Sequence, residues 1–335
     1  MKKITKVFLS FLFLALLISS VSPALAYTIK TLPGLGVTGD FALSTGKIEL
    51  ALNPGSSTVS NITVTNRIGK ESRFKIEVED FGPSSNTGEL TKLYGDDSGP
   101  YSLKKYLVPE INEFTLKQGE QISIAIAVSI PADAPAGGLY GCVLISNIPE
   151  VTPGEGNKIQ GQVGLASRLG VLFFVKVNGE VKESGNLASF NSSKLFYTNV
   201  PIKLAYTFNN DGNIYLDPQG TIVIKNIFNS TVSEIKTDPF FVLPKSKRTI
   251  AEEWSSEFML GRYTATLNLD RGYGGNIDKK TISFWVVPVP VIIITVLVVL
   301  ILILIVVLEK RKKNKKIKKQ LLGSTRGRQT KKSKK

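Results

Sequence analysis

Apolar and polar residues alternate with a period of two in many short segments of this chain. The longest example runs from Ile122 to Ile130, where Ile and Val alternate with Ser and Ala, and from Phe74 to Val78 apolar residues alternate with Lys and Glu. Because successive side chains of a β-strand point to opposite faces, each segment predicts a strand with one face toward a core. We find no amphipathic helix between the strands.

The predicted strands fall into two sets that separate near Gly179. They cover Ile48–Leu52, Val59–Asn66, Phe74–Val78, Ile122–Ile130, Leu139–Ser146 and Val171–Val177, then Val200–Phe208, Gly220–Asn226, Arg248–Glu253, Tyr263–Leu269 and Lys280–Val286. Many short strands separated by Gly, Pro, Ser and Asn are typical of antiparallel sandwiches. We therefore predict an all-β fold of two immunoglobulin-like or fibronectin-like β-sandwich domains, residues 27–178 and 179–285, followed by one transmembrane α-helix.

The N-terminus has the three parts of a secretory signal peptide. Lys2, Lys3 and Lys6 precede an apolar stretch, and small residues in the arrangement Ala24-Leu25-Ala26 follow it. Cleavage after Ala26 is expected, so residues 1–26 are predicted to be removed.

Residues 286–308 form an almost uninterrupted apolar stretch. About 20 such residues, at about 1.5 Å rise each, span a hydrocarbon core of about 30 Å. Trp285 lies at one end of the stretch and Lys310 begins a basic run at the other. The positive-inside bias predicts a single-pass protein of the cell membrane, with its N-terminal part extracellular and residues 309–335 as a cytoplasmic tail. A buried core helix is the alternative.

The net charge of +15 belongs mainly to that tail. Residues 309–335 hold fourteen Lys and Arg against Glu309, whereas residues 27–308 hold 25 basic and 26 acidic residues. The outer domains are therefore nearly neutral. We expect residues 286–308 to contact the lipid bilayer and the tail to contact anionic lipid headgroups. Nucleic acid is not an expected partner, because the tail has no aromatic residue for base stacking.

The composition excludes most catalytic chemistry. The chain has no histidine, which removes Ser-His-Asp and Cys-His catalysis and histidine-based metal sites, so we predict no enzyme, no cofactor and no metal. Cys142 lies in an apolar run and is interpreted as a buried side chain rather than a reactive thiol. A carboxylate-based glycosidase is the remaining enzymatic alternative, with acids such as Glu77, Glu79, Glu110 and Glu113.

The longest irregular stretch lies between Gly82 and Pro109. Long connections in compact domains are often functional or disordered, and both interpretations stay open here. Tyr94, Tyr101 and Tyr106 lie in this stretch and are the candidate partner contacts. Two neighbouring carboxylates, Asp96 and Asp97, lack the alternating ligand spacing of a calcium loop and are interpreted as a solvated turn.

One segment of the first domain matches a known pattern. It includes Tyr106-Leu107-Val108-Pro109, Phe114-Thr115-Leu116-Lys117-Gln118-Gly119-Glu120, Pro131-Ala132-Asp133-Ala134 and Gly137-Gly138-Leu139-Tyr140. From Tyr106 to Ser146 the chain resembles the N-terminal immunoglobulin-like domain of the WxL-interacting cell-surface proteins of Gram-positive bacteria. Tyr106 stands where that family usually has tryptophan. The resemblance implies a role in bridging a surface protein and peptidoglycan.

These features predict a membrane-anchored extracellular binding or adhesion module. Its expected partner is an envelope protein, peptidoglycan, or both. The alternative is a sensor or assembly factor of a membrane complex that signals through the membrane span and the tail.

Overall fold

The computed structural model describes residues 27–84, 91–148, 167–256 and 259–332, with side chains as far as Lys315. The chain forms two compact units that divide between Lys182 and Glu183. The predicted signal peptide, residues 1–26, lies outside the described part.

The first unit is built from twelve described strands and one turn of 3-10 helix, Lys104–Tyr106. The strands are β1 (Ile29–Thr31), β2 (Asp40–Leu43), β3 (Lys47–Leu52), β4 (Ser57–Arg67), β5 (Ser72–Glu79), β6 (Phe81–Gly82), β7 (Lys92–Leu93), β8 (Leu107–Pro109), β9 (Glu113–Leu116), β10 (Glu120–Ser129), β11 (Gly137–Ile148) and β12 (Arg168–Val177).

These strands form two layers around one core. One sheet has the order β1-β10-β4-β2, with β8 also paired to β10, and the other has the order β3-β12-β11-β5-β9. The alternating residues of both sheets meet in a buried cluster that includes Ile62, Phe74, Ile124 and Val143. Burial of each such side chain contributes about 1.5–3 kcal/mol, which lets the unit fold without a disulfide.

The second unit repeats this plan with β13 (Gly185–Ser192), β14 (Phe196–Tyr197), β15 (Ile202–Asn210), β16 (Gln219–Lys225), β17 (Thr231–Lys236), β18 (Ser246–Trp254), β19 (Gly261–Asp270) and β20 (Ile277–Val286). A three-stranded sheet, β13-β15-β18, packs on a five-stranded sheet, β14-β20-β19-β16-β17. Tyr206, Phe208, Leu267 and Phe284 lie in the core between them.

Both units place an early strand parallel to their last strand. The strand β3 runs parallel to β12, and β14 runs parallel to β20, whereas the other paired strands in the described part are antiparallel. In each unit the chain therefore crosses from one sheet to the other near its start. Two antiparallel layers joined in this way confirm the predicted immunoglobulin-like β-sandwich fold.

The last element is the helix α1 (Val289–Lys332). Its part from Val289 to Lys315 is long and apolar enough to cross a membrane, with a window of mean hydropathy 3.9 that is nowhere buried inside the chain. That exposure argues against a buried core helix. The helix begins at Val289 rather than at the predicted position 286, because Val286 is still part of β20, where it pairs with Gly261 of β19.

Candidate partner-binding surface

The outer face of the second sheet in the first unit carries a second apolar layer. In β11 and β12 alternate side chains, among them Val143, Val171 and Phe173, face the main core, and the side chains between them point outward. The outward-pointing residues Tyr140 and Phe174 are nevertheless almost fully buried. Another part of the chain must therefore cover this face.

Phe81 and residues 91–106 form this cover. Residues 91–106 are here called the cover segment. Phe81 contacts Tyr140 and Phe174 with ring centroids 5.9 and 5.4 Å apart, and Tyr101 packs edge-on against Tyr140 at 6.1 Å. The backbone N–H of Tyr140 donates to the carbonyl of Tyr101, and the N–H of Leu103 donates to the carbonyl of Tyr140. The cover segment is thus attached to β11 by both its backbone and its rings.

The side chain of Asp80 fixes the backbone of the cover segment by hydrogen bonds. Its side chain is fully buried, and its carboxylate accepts hydrogen bonds from the backbone N–H groups of Gly99, Leu103 and Lys104 at 3.0, 3.0 and 2.8 Å. Its own carbonyl accepts the N–H of Tyr94. A buried carboxylate is stable only when such donors replace water. One side chain therefore fixes backbone positions 19 to 24 residues away.

The exposed tip of the cover segment is held by two further charged residues. Glu79 accepts the backbone N–H of Gly95 at 3.0 Å, and the ammonium group of Lys104 donates to the carbonyls of Gly95 and Asp96 at 2.8 and 3.3 Å. Asp97 closes a turn by donating its N–H to the carbonyl of Tyr94. These contacts tie the tip of the described segment to β5 and to Lys104.

The three candidate contact residues have different places in this arrangement. Tyr94 lies over Gly82, where an added Cβ would come within 2.5 Å of the tyrosine Oη. Tyr101 belongs to the outer aromatic layer, whereas Tyr106 packs against the main core. All three are half-buried. The structure brings Tyr94 and Tyr101 into one cover, and the role of the three as partner contacts stays a prediction.

The exposed surface of the cover segment consists of other residues. Lys92, Leu93, Asp96, Asp97, Ser98, Pro100 and Lys105 present their side chains to solvent. The sequence showed these positions only as a polar loop. It also missed the positioning residues Asp80 and Lys104, because the groups that they contact are distant along the chain.

The acids considered for glycosidase chemistry are used in local contacts. Arg168 pairs with Glu77 and Glu79, and Arg73 pairs with Glu113. A hydrogen bond from Lys75 lowers the pKa of Glu77, which is the opposite of what a general acid requires. The outer face of this sheet therefore carries an ion-pair network. Within the described ranges, no group of three or more acids or cysteines is arranged to hold a metal ion.

Burial makes Cys142 a poor nucleophile. The residue is 1% exposed, and burial, with a further contribution from the negative charge of Glu79, raises the pKa of its thiol to about 12. The thiolate, which is the reactive form, is therefore scarce at neutral pH.

Comparison with known proteins gives only distant structural similarities. No protein-family model and no curated protein sequence matches the chain. The class 5 fimbriae chaperone CfaA matches 75% of this chain and 100% of its own, with 14% identity and a TM-score of 0.36. The E. coli chaperone DraB matches 73% and 96%, with 15% identity and a TM-score of 0.36. A chain of the complex of Salmonella enterica SafA pilin with the SafB chaperone matches 73% and 96%, with 13% identity and a TM-score of 0.37. Similarities of this size carry no conclusion about what this chain binds.

Proposed function

We propose that this protein is a membrane-anchored extracellular binding module that holds an envelope partner through the exposed surface of the cover segment. The partner is a surface protein or the peptidoglycan of the cell wall. The observation that carries the proposal is the triple hydrogen bonding of the Asp80 carboxylate to the backbone of the cover segment.

A loop that is ordered before binding loses little conformational entropy when a partner arrives, so more of the contact energy appears as affinity. The chemistry of the segment also suits recognition. Asp97 and Ser98 provide exposed, adaptable polar groups, and the half-buried Tyr94 and Tyr101 add rigid amphipathic area beside them, a combination found in binding loops. The acids beside it are occupied in ion pairs, which favours binding over catalysis.

The anchoring part of the proposal rests on α1 and on the charge that follows it. The apolar part of the helix leads directly into Lys310, Arg311, Lys312 and Lys313. Positive residues beside a span favour the cytoplasmic side, which directs both β-sandwich units outward. The resemblance of residues 106–146 to WxL-interacting proteins favours the same location and class of partner.

Site-specific photo-cross-linking tests the proposal. A photoreactive amino acid is placed at Asp97, on the exposed tip, or at Asp133, an exposed acid in another turn of the first unit. Full chains in membranes are exposed to a surface-protein extract and to peptidoglycan fragments, and the adducts are digested separately with protease and with muramidase. We expect adducts from position 97 and few from position 133. Equal yields from the two positions would contradict the proposed site.

A further inference from the structure

The second unit exposes an unusual number of large apolar side chains at one end of its five-stranded sheet. Phe196 and Trp285 are 65% and 42% exposed, and Phe228 is 85% exposed. Leu195, Ile227 and Leu260 are also exposed. These six residues, here called the apolar rim, come from four separate segments of the chain.

The strand register places the rim at the end where the chain enters α1. Phe196 of β14 pairs with Trp285 of β20, and Val286 pairs with Gly261, the residue after Leu260. On the far side of β19, Lys225 at the end of β16 pairs with Thr264. The β16–β17 hairpin, which carries Ile227 and Phe228, therefore extends past Thr264 toward the level of Trp285. Its lateral offset from β20 is two strand spacings, about 10 Å.

The exposed hairpin tip is rigid. The Asn226 side-chain oxygen accepts the backbone N–H groups of Phe228 and Ser230 at 3.0 and 3.1 Å. The backbone N–H of Asn226 also donates to the carbonyl of Ser230. An apolar pair on such a tip cannot fold back onto the core and stays in contact with whatever surrounds it.

The opposite end of the same sheet lacks this character. Outside α1 and the six rim residues, the described part of the second unit also exposes Val200, Val232 and Ile277, at 50%, 45% and 66%. Val232 lies in the same hairpin as Ile227 and Phe228, and Val200 follows β14 by three residues, which leaves Ile277. It begins β20 and pairs with Asp270, at the other end of the sheet from Trp285. The rim is thus confined to one end, where Lys194 and Arg262 are exposed beside it.

Chain length limits how far the rim can lie from a membrane. Val289, the first residue of α1, follows Trp285 by four residues, which span at most about 14 Å. The backbone is further restrained, because Val287 donates its N–H to the carbonyl of Tyr197. Indole and phenyl rings favour the boundary between hydrocarbon and headgroups, and exposed Lys and Arg favour anionic headgroups.

We infer that the apolar rim docks the second unit onto the outer leaflet of the bilayer that α1 spans. This inference rests on the anchoring by α1 in the proposed function. The occupant is the lipid surface, because the strand that carries Trp285 leads into the span after two residues. The rim adds interfacial contacts to a single helix, so that the second unit lies on the membrane in a fixed orientation rather than swinging about residues 287 and 288.

Single-cysteine labelling of the full chain tests this inference. Native Cys142 is buried, so an introduced cysteine is labelled selectively. Phe228→Cys and Phe196→Cys place an environment-sensitive fluorophore on two sides of the rim, and Ile277→Cys is the matched exposed apolar control. Each labelled chain is incorporated into nanodiscs of phosphatidylcholine and phosphatidylglycerol, with one chain per disc to exclude contacts between copies.

We expect both rim labels to emit at shorter wavelength than the label at position 277 and to be quenched by iodide several-fold less. If the chain incorporates into discs but all three labels are quenched equally, the docking is wrong while the anchoring stands. If only one rim position is protected, docking by the whole rim is wrong. If the chain does not elute with the discs, the anchoring itself is overturned, and the inference with it.

Discussion

Asp80 accepts hydrogen bonds from three backbone amides of the cover segment. Replacing it with alanine leaves the N–H groups of Gly99 and Lys104 without their acceptor, whereas the N–H of Leu103 keeps its second acceptor, the carbonyl of Tyr140 at 3.2 Å. Each unsatisfied buried donor costs about 1–3 kcal/mol, so we expect Asp80→Ala to destabilise the first unit by about 3 kcal/mol. Amide hydrogen exchange should show lost protection at Gly99 and Lys104.

Asp97→Ala is the matched control for this change. Its side chain is exposed, and we expect a change within about 0.5 kcal/mol. Unaltered exchange at Lys104 in Asp80→Ala would show that the carboxylate does not hold the segment.

Cys142 allows a second prediction at the scale of one residue. Because burial raises the pKa of its thiol to about 12, little thiolate is present at pH 8 and the folded chain should react very slowly with a thiol reagent. The same chain in denaturant should react at the rate of an ordinary cysteine. A colorimetric thiol assay measures both, and equal rates would contradict the buried position.

At the scale of elements, Asp278 joins two strands of the second unit that belong to different sheets. From β20 its carboxylate accepts the backbone N–H of Leu187 in β13 at 2.7 Å and the guanidinium of Arg271 at 2.6 Å. Partial burial raises the pKa of Asp278, but these hydrogen bonds outweigh it and hold the pKa below its ordinary value. The charged form therefore stabilises the folded unit.

The sign of the pH dependence follows from that direction. The stabilisation by Asp278 is fully present above the unfolded pKa of about 3.9 and is lost as pH falls through the lower folded pKa. We expect Asp278→Asn to lower stability by about 1–2 kcal/mol at pH 7. The gap between the melting temperatures of the two proteins should narrow below pH 4, and a constant gap from neutral to acidic pH would contradict this assignment.

The sequence predicted central strands better than edge strands. Every predicted segment overlaps an observed strand, because central strands such as β10 and β15 have one buried face and alternate clearly. The strands β1 and β17 were missed because most of their side chains are exposed and no alternation marks them. The order of the cover segment was not predictable either, since Asp80 and its partners are far apart along the chain.

For the whole molecule, the alternation of apolar and polar residues predicted two β-sandwich units, and the long apolar stretch predicted the helix that follows them. From the sequence, the candidate site could be located only as a loop. Its exposed residues can be told from its half-buried tyrosines only when β11 and the cover segment are placed together. The apolar rim could not be found from the sequence at all. Its residues lie in separate turns and meet only through the register of β14, β20, β19 and β16.

A variant of the basic tail can distinguish the two proposed roles of the protein, a membrane tether for a partner and a sensor or assembly factor. Lys310, Arg311, Lys312 and Lys313 adjoin the apolar part of α1 and should suffice to orient it, whereas ten further basic residues lie beyond them. Replacing those ten with glutamine should weaken binding to anionic lipid, at about 1 kcal/mol for each charge near the surface.

A tether needs only the span and its orientation, so cross-linking from position 97 should be unchanged in this tail variant. Protease accessibility of the β-sandwich units on intact cells verifies the orientation, and vesicle binding by the isolated tail peptide measures the lost lipid contact. If partner capture falls while the orientation is retained, the tail takes part in function beyond anchoring. That result would favour the sensor or assembly role, because information would then have to pass from the tail through α1 to the outer units.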